Sequence, residues 1–234
     1  AAQPECANAY PELGRMVEQA FAHFEDGAVS AELDGRDVKF HRSDLGYALR
    51  GLLYGRSAEV PYRIWQAARG DFTELVEYYV ERTDWVAGTD VAAGNHFSVI
   101  CAEDIRPVTD EDVSRAAEGT FLQGHVIRSY RTACDVWPVA ELSDDFFEPV
   151  SSDVPTLLLS GGRDPVTPPQ GAEQVAQGLS NHLHVVVPAA GHGVGGQCIL
   201  SMVVRLIEDG NLGNVDTSCV AEVPAPKFRL PGTQ

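Results

Sequence analysis

Two residues of this sequence have side chains suited to proton transfer, and each follows a strand-like run. Asp164 comes after the apolar residues 156–159, and His192 comes after residues 184–187, between two glycines. Loops that follow strands converge at one edge of an open α/β sheet, so we expect the two side chains to meet there. The histidine can then take a proton from a serine hydroxyl and return it to a leaving group. The aspartate would fix its tautomer and stabilise the imidazolium.

Each residue also has a simpler interpretation. An aspartate before a proline is common in turns, and a glycine-flanked histidine is typical of a surface loop. Their joint position at consecutive strand ends, acid first and histidine second, favours the catalytic pair. The chain order Ser…Asp…His places a nucleophile upstream of Asp164. Because no G-x-S-x-G motif occurs in the sequence, we expect the serine to lie outside this chain.

Composition excludes several kinds of partner. The 234 residues include 34 acidic and 17 basic side chains, a formal charge of −17, which repels nucleic acid unless a local basic stripe exists. The sequence has no such stripe. Hydrophobic residues make up 44% of the chain, enough to form a core. The apolar stretches are far shorter than the roughly 18 residues of a membrane span, so we expect no nucleic-acid partner and no membrane span.

The first residues and the cysteine count both indicate a missing part. Ala1 is not an initiator methionine, and neither a basic nor an apolar leader region follows it, so we interpret the start as a cut inside a longer protein. The cysteines are odd in number: Cys6, Cys101, Cys134, Cys198 and Cys219. We expect a secreted or periplasmic protein with one disulfide partner absent. The alternative is a cytosolic protein with five thiols.

Residues 1–149 are predicted to form a mostly helical cap or lid. Apolar residues recur there at spacings of three and four. The predicted helices are residues 13–24, 45–54, 58–68, 72–85, 110–117 and 125–133. Short strands are predicted at residues 38–40 and 97–101, with Glu103 and Asp104 at the end of the second strand.

Residues 150–234 are predicted to alternate strand and helix. The apolar runs at residues 156–159 and 184–187 are typical of strands in a parallel sheet, and helices are predicted at residues 168–179 and 197–207. Two strands cannot form a sheet covered on both faces. We therefore expect the remaining strands in the missing segment.

A metal site is not predicted. His182 and His184 share one face of the second strand, but no third ligand has suitable spacing. We interpret them as ordinary strand residues and expect neither a metal nor an organic cofactor.

Four segments together resemble one known family. They are residues 161–169 (GGRDPVTPP), residues 191–193 (GHG), residues 97–104 (FSVICAED), and Cys198 with residues 216–219 (DTSC). They are similar to the tripeptidyl-aminopeptidase-like branch of the α/β-hydrolases, whose relatives include the proline iminopeptidases. The resemblance implies the C-terminal part of an α/β-hydrolase fold with a largely helical cap. It also implies a secreted serine hydrolase whose N-terminal half carries the nucleophile and the oxyanion hole.

The same resemblance implies how the cysteines pair. Cys101 would bond Cys134, and Cys198 would bond Cys219. Cys6 resembles the second member of a local pair whose first member precedes the sequence, which would explain the odd count.

Substrate binding is predicted from the chemistry of an aminopeptidase. Such an enzyme must bind a protonated N-terminal amine, and a carboxylate can do so with a charge-assisted hydrogen bond. Glu103 and Asp104 are the candidates; the alternative is a solvated acidic turn. The main hypothesis is a peptidase that releases N-terminal residues or short peptides. An esterase or lipase on the same scaffold, and a fragment or subunit inactive without its N-terminal half, remain alternatives.

Overall fold

The structure, a computed structural model, describes residues 3–87 and 92–232, without the side chains of residues 84–87. Ala1, where the sequence predicts a cut, lies outside the described residues. The chain divides into two units. Unit 1 comprises Ala1–Val17, Leu49–Gln66 and Pro149–Gln234, and unit 2 comprises Glu18–Ala48 and Ala67–Glu148. The assignment of residues 1–149 to a cap and residues 150–234 to the core stays a prediction.

The elements follow the predicted order closely. In chain order they are α1 (Pro4–Ala9), α2 (Leu13–Ala22), β1 (Val29–Leu33), β2 (Arg36–Phe40), α3 (Arg42–Gly55), α4 (Val60–Ala67), α5 (Thr73–Ala87), α6 (Ala93–Val99), α7 (Asp110–Ala117), α8 (His125–Cys134), β3 (Thr156–Gly161), α9 (Pro169–Ala176), β4 (His182–Val187) and α10 (Gln197–Asp209). Among the described residues, none of these helices is long and apolar enough to cross a membrane.

Unit 2 contains an antiparallel hairpin of β1 and β2. Val29 pairs with Phe40, and Leu33 pairs with Arg36 across a two-residue loop. Both loop residues, Asp34 and Gly35, have positive φ angles of 52° and 74°, as a type I′ turn requires. The prediction of a strand at residues 38–40 is confirmed. Strand β1 was not predicted, although an Asp-Gly pair between two strand-like runs is its usual signal.

The predicted strand at residues 97–101 is wrong. Helix α6 ends at Val99, and a π-helical turn follows over Ile100–Asp104. The β-branched and aromatic residues of this run favour a strand by propensity, but tertiary packing overrides that preference. Cys101 and Ile105, four residues apart on one helical face, are both buried. That spacing is the helical signal.

Unit 1 is built around the parallel pair of β3 and β4. Thr156 lies opposite His182, and Gly161 lies opposite Val187. Helix α9 joins the two strands, as expected for parallel neighbours. The β-α-β-α order predicted after residue 150 is therefore confirmed.

The core of unit 1 lies between β4 and α10. The buried hydrophobic cluster there consists of the side chains of Val185, Val187, Ile199 and Met202. Helix α10 ends at Asp209 and is capped by Gly210, whose φ of 63° is the left-handed conformation that glycine adopts without steric cost. This packing fixes the position of the strand end from which His192 follows.

Two cysteine pairs lie at bonding distance. The sulfur atoms of Cys101 and Cys134 are 2.01 Å apart, and those of Cys198 and Cys219 are 2.06 Å apart. Among the described residues Cys6 forms no disulfide. These pairs are compatible with an extracellular protein.

Removing the bridge between Cys198 and Cys219 is expected to destabilise unit 1. The bridge closes a sequence separation of 21 residues, and the chain-entropy estimate for a loop of that size is about 3 kcal/mol. Urea unfolding of the double variant Cys198→Ala/Cys219→Ala should show this loss in free energy of unfolding, whereas Cys6→Ala should lose much less. Recovery of Cys198 and Cys219 as free thiols in non-reducing peptide mapping would contradict the assignment.

Candidate active site

The loops after β3 and β4 approach so closely that their backbones touch. A Cβ atom at Gly161 would lie 2.0 Å from the carbonyl oxygen of Gly191, a distance that no side chain permits. Just beyond, the N–H of Arg163 donates to the carbonyl of Ala190 at 3.0 Å. Glycine at the end of β3 therefore lets the acid-bearing loop lie against the histidine-bearing loop.

Asp164 lies at the start of the first loop, with a side chain only 3% exposed. Its Oδ1 accepts the backbone N–H groups of Val166 at 2.8 Å and Thr167 at 2.9 Å, and its Oδ2 accepts the Thr167 hydroxyl at 2.8 Å. Burial raises the pKa of Asp164, but these hydrogen bonds and the one from His192 outweigh it and lower the pKa to about 2. The carboxyl is thus ionised at neutral pH.

His192 contacts Asp164 through one ring nitrogen. Its Nδ1 lies 3.0 Å from Oδ2 and 3.1 Å from Oδ1 of Asp164. An ionised carboxylate can only accept hydrogen bonds, so Nδ1 carries the proton and Nε2 keeps its lone pair in the neutral ring. The His192 side chain is 37% exposed. Within the part of the chain that the structure describes, no hydrogen bond occupies Nε2.

This arrangement is suited to a general base and an acid that orients it. The neutral ring can accept a proton at Nε2, and the adjacent carboxylate stabilises the imidazolium that results. The predicted convergence of Asp164 and His192 is present in the structure. The interpretation of Asp164 as a turn residue also describes it in part, because Oδ1 holds its own loop while both oxygens face the ring.

Sequence reasoning missed two neighbours of this pair. Thr167 donates its hydroxyl to Asp164, and an Asp-x-x-Thr spacing in a loop is the local signal for such a bond. Tyr54 packs its ring against His192, with centroids 5.2 Å apart. No local pattern links Tyr54 to His192, because tertiary folding alone brings α3 to this loop.

Glu103 and Asp104 lie in unit 2, on the π turn Ile100–Asp104 rather than at a strand end. Glu103 is half-buried, and Asp104 is exposed. The structure does not test whether they bind a substrate amine, so that role stays a prediction.

The other strand histidines have ordinary hydrogen-bond partners. His182 Nδ1 lies 2.6 Å from the carbonyl of Leu179, and His184 Nε2 lies 3.0 Å from Oγ of Ser160. Ser160 is only 5% exposed, so the Ser160–His184 pair is not open to a substrate. Nowhere in residues 3–87 and 92–232 do three or more His, Cys, Asp or Glu side chains form a metal-binding group.

Acid should weaken the fold through Asp164. Its folded pKa of about 2 lies below the ordinary value of about 3.9, so its stabilising effect is present above pH 4 and lost as the pH falls from about 4 to about 2. Urea unfolding measured across this range should show a smaller acid-dependent loss for Asp164→Asn. The exposed Asp153→Asn should retain the acid dependence of the parent, and equal slopes for the parent and Asp164→Asn would contradict the assignment.

One comparison with known proteins identifies part of the chain. Residues 120–219 match the family model described as TAP-like protein, a family of α/β-hydrolases. Residues 120–219 belong to the TAP-like α/β-hydrolases. This TAP-like segment includes β3 and β4, and it contains both Asp164 and His192. The TAP-like family is a family of hydrolases. No curated protein and no solved structure matches the chain.

Proposed function

We propose that this chain supplies the acid and the general base of a secreted serine hydrolase, most specifically an aminopeptidase. The observation that carries the proposal is the hydrogen bond from His192 Nδ1 to the buried, ionised Asp164, with Nε2 left able to accept a proton. The TAP-like match over the same residues supports a peptide substrate.

In this mechanism His192 moves a proton twice. Nε2 accepts the proton of a serine hydroxyl as the serine oxygen bonds to the acyl carbon, and the imidazolium then donates that proton to the departing amine. Water then attacks the acyl-enzyme through the same proton transfers by His192 and releases the carboxylic acid product. Because the pKa of Asp164 is about 2, the carboxylate stays ionised while it stabilises the imidazolium.

The serine and the oxyanion hole are proposed to come from an N-terminal half of the same fold. The sequence contains no G-x-S-x-G motif. Within the described residues, β3 and β4 form a sheet of two strands, and a doubly covered α/β sheet needs more. Further strands pairing with this sheet would bring a nucleophile to the edge where His192 lies.

The substrate class is testable in the enzyme assembled from this chain and that half. We expect hydrolysis of amino-acyl naphthylamides with a free amine, and a loss on N-acetylation. If Glu103 and Asp104 bind the amine, Glu103→Gln/Asp104→Asn should raise KM about 10- to 100-fold, the effect of losing a hydrogen bond to a charged group. The exposed Glu141→Gln is the control. Equal or better turnover of nitrophenyl esters and acetylated substrates would instead indicate an esterase.

A further inference from the structure

The imidazole of His192 has an aromatic neighbour that the catalytic pair does not explain. The ring of Tyr54 meets it edge to face, with an interplanar angle of 70° and centroids 5.2 Å apart. One turn earlier on α3, the guanidinium of Arg50 lies 5.2 Å from the centroid of the Tyr54 ring. Tyr54 therefore contacts both Arg50 and His192 within unit 1.

The backbone of α3 meets the same loop. A Cβ atom placed on Gly191 would lie 3.3 Å from the carbonyl oxygen of Leu53 and 3.5 Å from that of Tyr54. Both carbonyls belong to the last turn of α3, so the residue preceding His192 lies against the C-terminal end of the helix. The contact between Tyr54 and His192 is thus carried by a helix rather than by two mobile loops, which favours a fixed geometry.

A single hydrogen bond at Nδ1 does not by itself fix the orientation of the His192 imidazole. The hydrogen bond from Nδ1 to Asp164 leaves the imidazole free to rock about that bond, and such rocking displaces Nε2 on the opposite side of the ring. A contact against the ring itself restricts this motion. Edge-to-face packing has a preferred geometry, so the Tyr54 ring favours one orientation of the imidazole plane.

We propose that Tyr54 is a positioning residue for His192 and that Arg50 holds the Tyr54 ring in place. Tyr54 orients the imidazole plane so that Nε2 keeps one direction toward the space where the serine hydroxyl would lie. The catalytic meaning of this role rests on the function proposed above, whereas the restriction of the ring does not.

The test measures the motion of the His192 ring in this chain by NMR, with isotope-labelled histidine. In Tyr54→Ala we expect the order parameter of the His192 ring to fall from a rigid value to below about 0.6. Tyr54→Phe retains the aromatic edge, so its ring motion should equal that of the parent. Tyr62→Ala is the matched control, because Tyr62 stacks on Trp65 in the same unit and should leave His192 unchanged.

An unchanged order parameter in Tyr54→Ala would overturn the proposal, and so would equal mobility in Tyr54→Ala and Tyr54→Phe. If Tyr54→Ala loses the amide pattern of β3 and β4, Tyr54→Leu takes its place, since leucine fills the site without an aromatic edge. In the assembled enzyme we expect Tyr54→Ala to lower kcat about tenfold with little change in KM, and Tyr54→Phe to restore kcat. If the His192 ring becomes mobile in Tyr54→Ala but the assembled enzyme shows no His192-dependent hydrolysis, the proposed function is rejected and the positioning role of Tyr54 is kept.

Discussion

Asp164→Asn is expected to lower kcat of the assembled hydrolase about 10,000-fold, the cost of a wrong histidine tautomer. The amide oxygen of asparagine can still accept the backbone N–H groups of Val166 and Thr167 that Oδ1 of Asp164 accepts at 2.8 and 2.9 Å. Its NH₂ group then faces Nδ1 of His192 and donates to it. The ring proton moves to Nε2, and the general base is lost while the loop is kept.

His192→Ala should cost a similar factor, and the double variant should cost no more than either single variant because the two residues act as a unit. Asp153→Asn, which changes an exposed carboxylate near β3, is the control for charge. Steady-state kinetics on one substrate compares these four variants with the parent. Retention of more than about a tenth of the parental kcat by Asp164→Asn would contradict the assigned role.

Gly161→Ala is expected to lower the free energy of unfolding by about 3 kcal/mol or more. The added methyl group would lie 2.0 Å from the carbonyl oxygen of Gly191 and 2.9 Å from that of Ala190. Both carbonyl oxygens are backbone atoms of the loop that carries His192, so the steric clash can be relieved only by moving that loop. Chemical denaturation measures the loss, and the spacing of Asp164 and His192 should change with it.

Gly171→Ala is the matched control for this substitution. Gly171 lies in helix α9, and nothing stands within 4 Å of an added Cβ. Alanine is the better helix former, so this variant should be neutral or more stable by about 0.5–1 kcal/mol. A loss of less than about 1 kcal/mol in Gly161→Ala would show that the two loops are not locked together as described.

The sequence predicted that Asp164 and His192 converge, because the determinants of that contact are local. Asp164 and His192 each follow a short apolar strand, and parallel strands joined by a helix must end at the same edge of the sheet. The strands and their order were therefore enough to bring the two side chains together. The supporting contacts were not predictable in this way. Tyr54 is far from His192 in sequence, and its contact depends on how α3 packs in unit 1.

The wrong strand at residues 97–101 and the unpredicted strand β1 also have physical causes. Residues 97–101 have strand-like propensity, but the burial of Cys101 and Ile105 on one helical face decides their structure. In β1, only alternate residues are half-buried, so its apolar signal is weak, and the strand is indicated chiefly by the Asp34-Gly35 turn that joins it to β2. Local preference is a weak guide where packing or a disulfide supplies the larger energy.

The central claim is that His192 is a general base whose serine lies outside this chain. The most direct test compares residues 1–234 alone with the same chain combined with an N-terminal half that carries G-x-S-x-G, using a fluorophosphonate probe and an amino-acyl naphthylamide. We predict no serine labelling and no hydrolysis by residues 1–234 alone. Both should occur in the combined protein and be lost with His192→Ala. Hydrolysis by residues 1–234 alone that His192→Ala abolishes would contradict the claim.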